Sequence, residues 1–261
     1  MRMSVSALLS FGLLFGLLQS PLTVSAKTNY EFEETPSLFD DFSAGWEQTQ
    51  KDWRVATWKQ NGTQMSPERC KTDGDGLLIQ TVLKGVPKSG GSMQTAREYP
   101  YGRWVARVKA SPVPGVLNSI FTKDWDDLTT PEPDNDGKGG EVDIEFLTYM
   151  FGRNSGKVHL AIHTKDKSNY FERYTKLSFN PSDDFHEWGF DILPDRVVWH
   201  VDGKFLEEFR YPSKGFIEPN YEFFFNSWTS GKWINGPSLE DAHYQIDWVK
   251  FFPLKESVEA E

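Results

Sequence analysis

The chain alternates apolar and polar positions over short runs, and turn residues break those runs every few positions. Residues 103–109 (RWVARVK) alternate and stop at Ser111-Pro112. Residues 76–82 (GLLIQTV) follow Asp73-Gly74-Asp75 and predict a strand, as do 157–163 (KVHLAIH), 221–228 (YEFFFNSW) and 244–252 (YQIDWVKFF). Residues 196–201, Asp202-Gly203 and 204–209 predict a hairpin, because Asp-Gly suits the two-residue type I′ turn. No stretch carries a convincing helical period. Many short strands separated by turns predict an all-β sandwich or barrel. No internal repeat and no Ser/Gly-rich or Pro-rich linker interrupts the pattern, so one domain is expected. Residues 27–37 (KTNYEFEETPS) read as a flexible lead-in and 254–261 (LKESVEAE) as a polar tail.

The first 26 residues follow another logic. Arg2 precedes a twelve-residue apolar core at 7–18, Val24-Ser25-Ala26 offers a small-residue cleavage site, and no acid occurs before Glu31. That is the layout of a secretory signal peptide over 1–26. Twelve apolar residues reach only about 18 Å as a helix, short of a hydrocarbon core of roughly 30 Å. A secreted chain, extracellular or periplasmic, is therefore expected, with no membrane partner after cleavage. Composition narrows the partners further. The 38 acidic residues outnumber the 28 basic ones for a net charge of −10, and no Lys/Arg run exists, so nucleic acid is not an expected partner. Aromatics at 15% exclude an ordinary disordered chain. The single cysteine, Cys70, excludes an intrachain disulfide and a Cys-rich zinc site.

The chemistry concentrates at Gly140-Glu141-Val142-Asp143-Ile144-Glu145-Phe146. On a strand, Glu141, Asp143 and Glu145 share one face, and Val142, Ile144 and Phe146 the other. Three crowded acids repel one another and raise at least one pKa. Such a trio suits a site that needs one protonated and one ionised carboxyl. Four strand residues separate the Cα atoms of Glu141 and Glu145 by about 13 Å. Inward lean of both side chains brings the carboxyls to about 5–6 Å, near the retaining-glycosidase separation and below the inverting range. A solvated acidic strand face would carry the same pattern. Residues 134–145 also partly mimic a calcium-binding EF-hand loop, but Lys138 stands at an oxygen-ligand position and no helical pattern flanks it.

The acid segment resembles the Glu-x-Asp-x-Glu signature of glycoside hydrolase family 16 in its unbulged form. Residues 101–109 (YGRWVARVK) are similar to the family's YGxYEVRxK strand, and 115–122 (GVLNSIFT) to the strand before the catalytic loop. Phe185-His186-Glu187-Trp188 through Val201-Asp202-Gly203 resembles its FHxYxFxW…WYVDG hairpin. Asn226-Ser227-Trp228 and Asp247-Trp248-Val249 match its N-x-W and DWV strands. The resemblance implies a concanavalin-like β-jelly-roll sandwich of two antiparallel sheets over 38–253, with a concave glycan cleft. It implies retaining hydrolysis of internal β-glycosidic bonds, with Glu141 as nucleophile, Glu145 as general acid/base and Asp143 as helper. No cofactor is expected for catalysis, and a polysaccharide-cutting monomer is.

The unbulged motif is most similar to bacterial lichenases, which cut β-1,3-1,4-glucan, and to the xyloglucan-active branch. β-1,3-glucan or algal galactan hydrolysis, transglycosylation and non-catalytic glycan binding are the alternatives. Substrate contacts are expected from Trp228, Asn226, Phe121, Trp125, His159, His163 and Gln94, with Trp233 a further sugar platform. Three positions depart from the lichenase pattern. Lys138-Gly139-Gly140 lacks the Trp before the first acid, Ser92-Met93-Gln94 replaces Glu-x-Arg, and Lys123 stands where an aromatic is usual. The resemblance also offers Asp247 as a ligand for a structural calcium remote from the acids. Residues 124–140, long and polar, predict a loop over the cleft rim.

Overall fold

The computed structural model describes residues 29–57, 59–60, 62–124, 140–164, 171–213, 215–217 and 219–255. The proposed signal peptide and Trp125 lie outside them. The strands are β1 (Leu38–Asp40), β2 (Trp53–Val55), β3 (Lys59–Gln60), β4 (Thr63–Met65), β5 (Cys70–Thr72), β6 (Leu78–Val82), β7 (Ser89–Thr95), β8 (Gly102–Lys109) and β9 (Leu117–Lys123). They continue with β10 (Gly140–Leu147), β11 (Gly156–Thr164), β12 (Phe171–Leu177), β13 (His186–Ile192), β14 (Arg196–Val201), β15 (Lys204–Arg210), β16 (Glu222–Trp228) and β17 (Ala242–Pro253). One sheet runs β15-β14-β13-β8-β17-β6-β5, with β1 beside β17. The other runs β12-β11-β10-β9-β16-β7-β4-β3, with β2 beside β7. Pairing is antiparallel except between β4 and β7. This is the two-sheet jelly roll that the alternation and the family resemblance imply.

Alternation builds the core between the sheets. Trp104, Trp188 and Trp199 from one sheet meet Phe146, Phe223 and Phe225 from the other, all fully buried. The rings of Trp104 and Phe223 stack with centroids 4.2 Å apart. Each such side chain removed from water contributes about 2–3 kcal/mol. The Asp202-Gly203 hairpin has both turn residues at positive φ, 51° and 69°, as a type I′ turn requires.

Three features depart from the sequence reading. A short helix, α1 (Trp46–Asp52), occupies two turns, too few for a period to show. The strand β7 (SGGSMQT) is buried at all seven positions and therefore shows no alternation. Its small residues answer to close packing: a Cβ on Gly91 would lie 2.8 Å from the Cys70 sulfur. The lead-in is tied down where it is described. Phe32 bridges to Leu254, Glu33 N–H donates to the Pro253 carbonyl at 2.9 Å, and Lys255 N–H to the Glu31 carbonyl at 2.9 Å. These bonds extend the edge of the first sheet, so the lead-in and the start of the tail pin each other.

Candidate active site

β10 lies near the middle of the second sheet, between β9 and β11. Val142, Ile144 and Phe146 enter the core with at most 1% exposure, so Glu141, Asp143 and Glu145 take the opposite, concave face. The strand is also held from beneath: Trp199 Nε1 on the facing sheet donates to the Asp143 carbonyl at 3.1 Å. Register then aligns rows of side chains across the strands, because directly opposed residues share a face. Glu141 stands between His163 and Lys123, Asp143 between Ala161 and Phe121, and Glu145 between His159 and Ser119. Through β16 the rows reach Glu222, Phe224 and Asn226.

Each acid meets a different environment. Lys123 Nζ lies 3.0 Å from Glu141 Oε2, an ion pair. His159 Nδ1 lies 2.6 Å from Glu145 Oε2. Asp143 sits between two carboxylates, with His163 Nε2 3.5 Å from its Oδ2. Burial pushes the Asp143 carboxyl well above its ordinary pKa, and the charges of Glu141 and Glu145 add to that push. Lys123 pulls the other way and does not prevail. Asp143 therefore keeps a proton well above the usual carboxylate range and shares it in a hydrogen bond with Glu141. The crowding predicted a raised acid; the structure identifies it as the middle one.

Around the acids lies a cleft of about 290 Å³. The structure brings together Glu141, Asp143, Glu145, Phe121, His159 and His163 in its lining. Asn226, Trp228 and Trp233 complete the far wall. Ser119 Oγ and Asn226 Oδ1 are hydrogen-bonded at 2.5 Å. Phe121 stacks on Phe224 at 4.5 Å. Gln94 does not join the lining. It lies on β7 opposite Phe224 of β16 and donates to Glu222 Oε1 at 3.2 Å, and Arg54 also reaches Glu222, at 2.6 Å. Sequence reasoning missed Glu172 and Ser119 in the lining and the Arg54–Glu222 pair. Glu172 sits in 171–177 (FERYTKL), whose apolar residues fall at every third position, so no period-two signal marked it as a cleft strand.

A family model, glycosyl hydrolases family 16, matches residues 47–250. This chain belongs to that family. A beta-glucanase of Bacillus amyloliquefaciens is 27% identical over 258 residues, spanning 95% of this chain and 98% of that protein. A xylanase/beta-glucanase of Ruminococcus flavefaciens is 31% identical over 169 residues, 62% of this chain, which spans only 19% of that protein. Among solved structures, a prokaryotic beta-1,3-1,4-glucanase (lichenase) from a mouse hindgut metagenome superposes with a TM-score of 0.67 at 22% identity, covering 82% of this chain and 97% of that one. The family 16 match takes in β10 and the cleft strands on both sides of it.

Asp247, offered by the family resemblance as a calcium ligand, lies on β17 in the other sheet. Its carboxylate is hydrogen-bonded and ion-paired to Arg107. Among the described residues, no group of three His, Cys, Asp or Glu side chains could hold a metal ion.

Proposed function

We propose that this family 16 chain is a secreted, retaining endo-β-glycanase that hydrolyses internal bonds of a β-glucan, with mixed-linkage β-1,3-1,4-glucan as its substrate. The carrying observation is the acid trio on one face of β10 in an open cleft, each acid with a distinct partner. The beta-glucanase relative that matches along nearly its whole length supports the substrate class. In the first step Glu145 gives a proton to the leaving oxygen while Glu141 attacks the anomeric carbon. The bond to the leaving sugar breaks as the bond to Glu141 forms. Water then attacks the glycosyl-enzyme, giving its proton to Glu145 and releasing Glu141. Asp143, protonated beside Glu141, donates a hydrogen bond that holds the nucleophile in place and is renewed when Glu141 is released. Phe121, Trp228 and Trp233 offer aromatic faces to the apolar faces of sugars.

The test is product analysis on barley β-glucan, laminarin, xyloglucan and agarose, with the anomer of the first product followed by NMR. Oligosaccharides from barley glucan with retained β configuration are expected. Preference for another glycan would move the substrate assignment. An inverted anomer would overturn the two-step mechanism, and binding without cleavage would make the chain a glycan-binding module.

A further inference from the structure

His159 is 4% exposed, and both of its ring nitrogens meet carboxylates. Nδ1 lies 2.6 Å from Glu145 Oε2, and Nε2 lies 3.3 Å from Glu172 Oε2. A neutral imidazole has one donor and one acceptor, so it cannot donate to two ionised carboxylates at once. Three states satisfy the geometry: an imidazolium that donates to both carboxylates, a neutral ring that donates to Glu172 and accepts from protonated Glu145, and a neutral ring that donates to Glu145 and accepts from protonated Glu172. Each holds one proton more than the bare set. The ring cannot swing away to make other bonds. Tyr174 stacks on it with centroids 4.4 Å apart, and Trp233 meets its edge at 6.1 Å.

We propose that Glu145, His159 and Glu172 form a relay around one shared proton, in which His159 is a positioning residue that aims the acid/base and Glu172 sets the alkaline limit of activity. This rests on the reading of Glu145 as the acid/base. With both ring nitrogens engaged, His159 serves Glu145 from behind and has no donor left for a sugar hydroxyl. In the first step Glu145 passes the shared proton to the leaving oxygen. A carboxylate at Glu145, a neutral ring and a carboxylate at Glu172 remain. The proton of the attacking water restores the set in the second step. The sign of the Glu172 effect follows from charge. Its carboxylate favours the state that carries the shared proton, so removing that charge lets the proton leave at a lower pH. Among the described residues, the other charged or titratable groups near the ring include Tyr174 beside Glu172, the Asp143–His163 pair to one side, and exposed Lys157 and Lys176 one row further along. Glu172 is 46% exposed, so solvent screens its effect.

The experiment measures kcat/KM against pH on barley β-glucan, or on the panel member that the wild-type enzyme cuts fastest. Glu172→Gln should lower the alkaline limb by about 0.5–1 pH unit. In a His159→Gln background the same change should move the limb no further, because the relay is already cut. An unmoved limb in Glu172→Gln, or an equal displacement with His159→Gln present, overturns the relay. Thermal melting checks that each variant folds. If His159→Gln does not fold, the limb of Glu172→Gln decides alone. Glu145→Gln is measured alongside: near-wild-type hydrolysis there removes the acid/base assignment itself, whereas an inactive Glu145→Gln with an unmoved Glu172→Gln limb removes only the relay.

Discussion

Asp143 and Asp191 are both buried aspartates in the middle of a sheet, one in the cleft and one on the outer face of the opposite sheet. Burial raises the proton affinity of each. For Asp191, hydrogen bonds from Arg103 and a contact with His200 outweigh burial and hold its carboxyl below the ordinary value. The Arg103 contact is two-pronged, at 2.7 and 2.8 Å. Asp143 has acids on both sides, so its carboxyl rises. Burial alone thus leaves the direction of the shift undecided, and the neighbours decide it. The outer sheet pairs its charges and gains stability. The cleft gathers like charges, which costs stability and leaves carboxyls poised for proton transfer.

The largest effect that tests this contrast belongs to the cleft. Glu141→Gln or Glu145→Gln should lower kcat by about a thousandfold or more, with the melting temperature little changed; near-wild-type turnover by either folded variant would refute its role. On the other sheet, Arg103→Met strands a buried charge. It should cost about 2–3 kcal/mol in urea unfolding, at the low end for buried pairs because Arg103 is partly exposed, and leave the turnover per folded molecule unchanged. Asp143→Asn should reverse that pattern. Hydrolysis should fall about 10–100-fold, while stability at neutral pH holds or rises because a costly titratable group is gone.

The pH dependence of unfolding separates the two aspartates. The folded-state pKa of Asp191 is depressed, so its contribution is present above the unfolded value of about 3.9 and is lost as pH falls below it. The folded-state pKa of Asp143 is raised, so its contribution is full below about 3.9 and is lost as pH rises through the folded value. Arg103→Met should flatten the acid-side slope, and Asp143→Asn the slope on the rising side. A wild-type slope on the rising side in Asp143→Asn would contradict the raised proton affinity. The smallest expected effect is at Lys123. Lys123→Met removes the ion pair to Glu141 and should lower kcat/KM by about three- to tenfold, read from initial rates.

Much of the architecture was legible locally. The alternation at 140–146 placed three acids on one face, and Asp202-Gly203 placed a hairpin turn. β7 was illegible because both of its faces are covered, which erases alternation, and α1 because seven residues cannot display a period. Of the site, the acids and most of the cleft wall could be named beforehand. Lys123 and His159 were named too, but not as partners of the acids, and Glu172 was missed. Lys123, His159 and Glu172 come from three different strands, and what joins them to the acids is register.

The amino-acid order by itself determined which side chains share a face of each strand, because side chains alternate along any extended backbone. It thereby determined the acid trio, the apolar face beneath it and the family to which the chain belongs. Only the tertiary structure decided which strands lie next to β10, and with that which charge sits against each acid. Proton affinity depends on neighbours within a few ångströms, and here those neighbours arrive from strands distant in the chain. The raised proton affinity of Asp143 and the partners of Glu145 are therefore properties of the folded sheet.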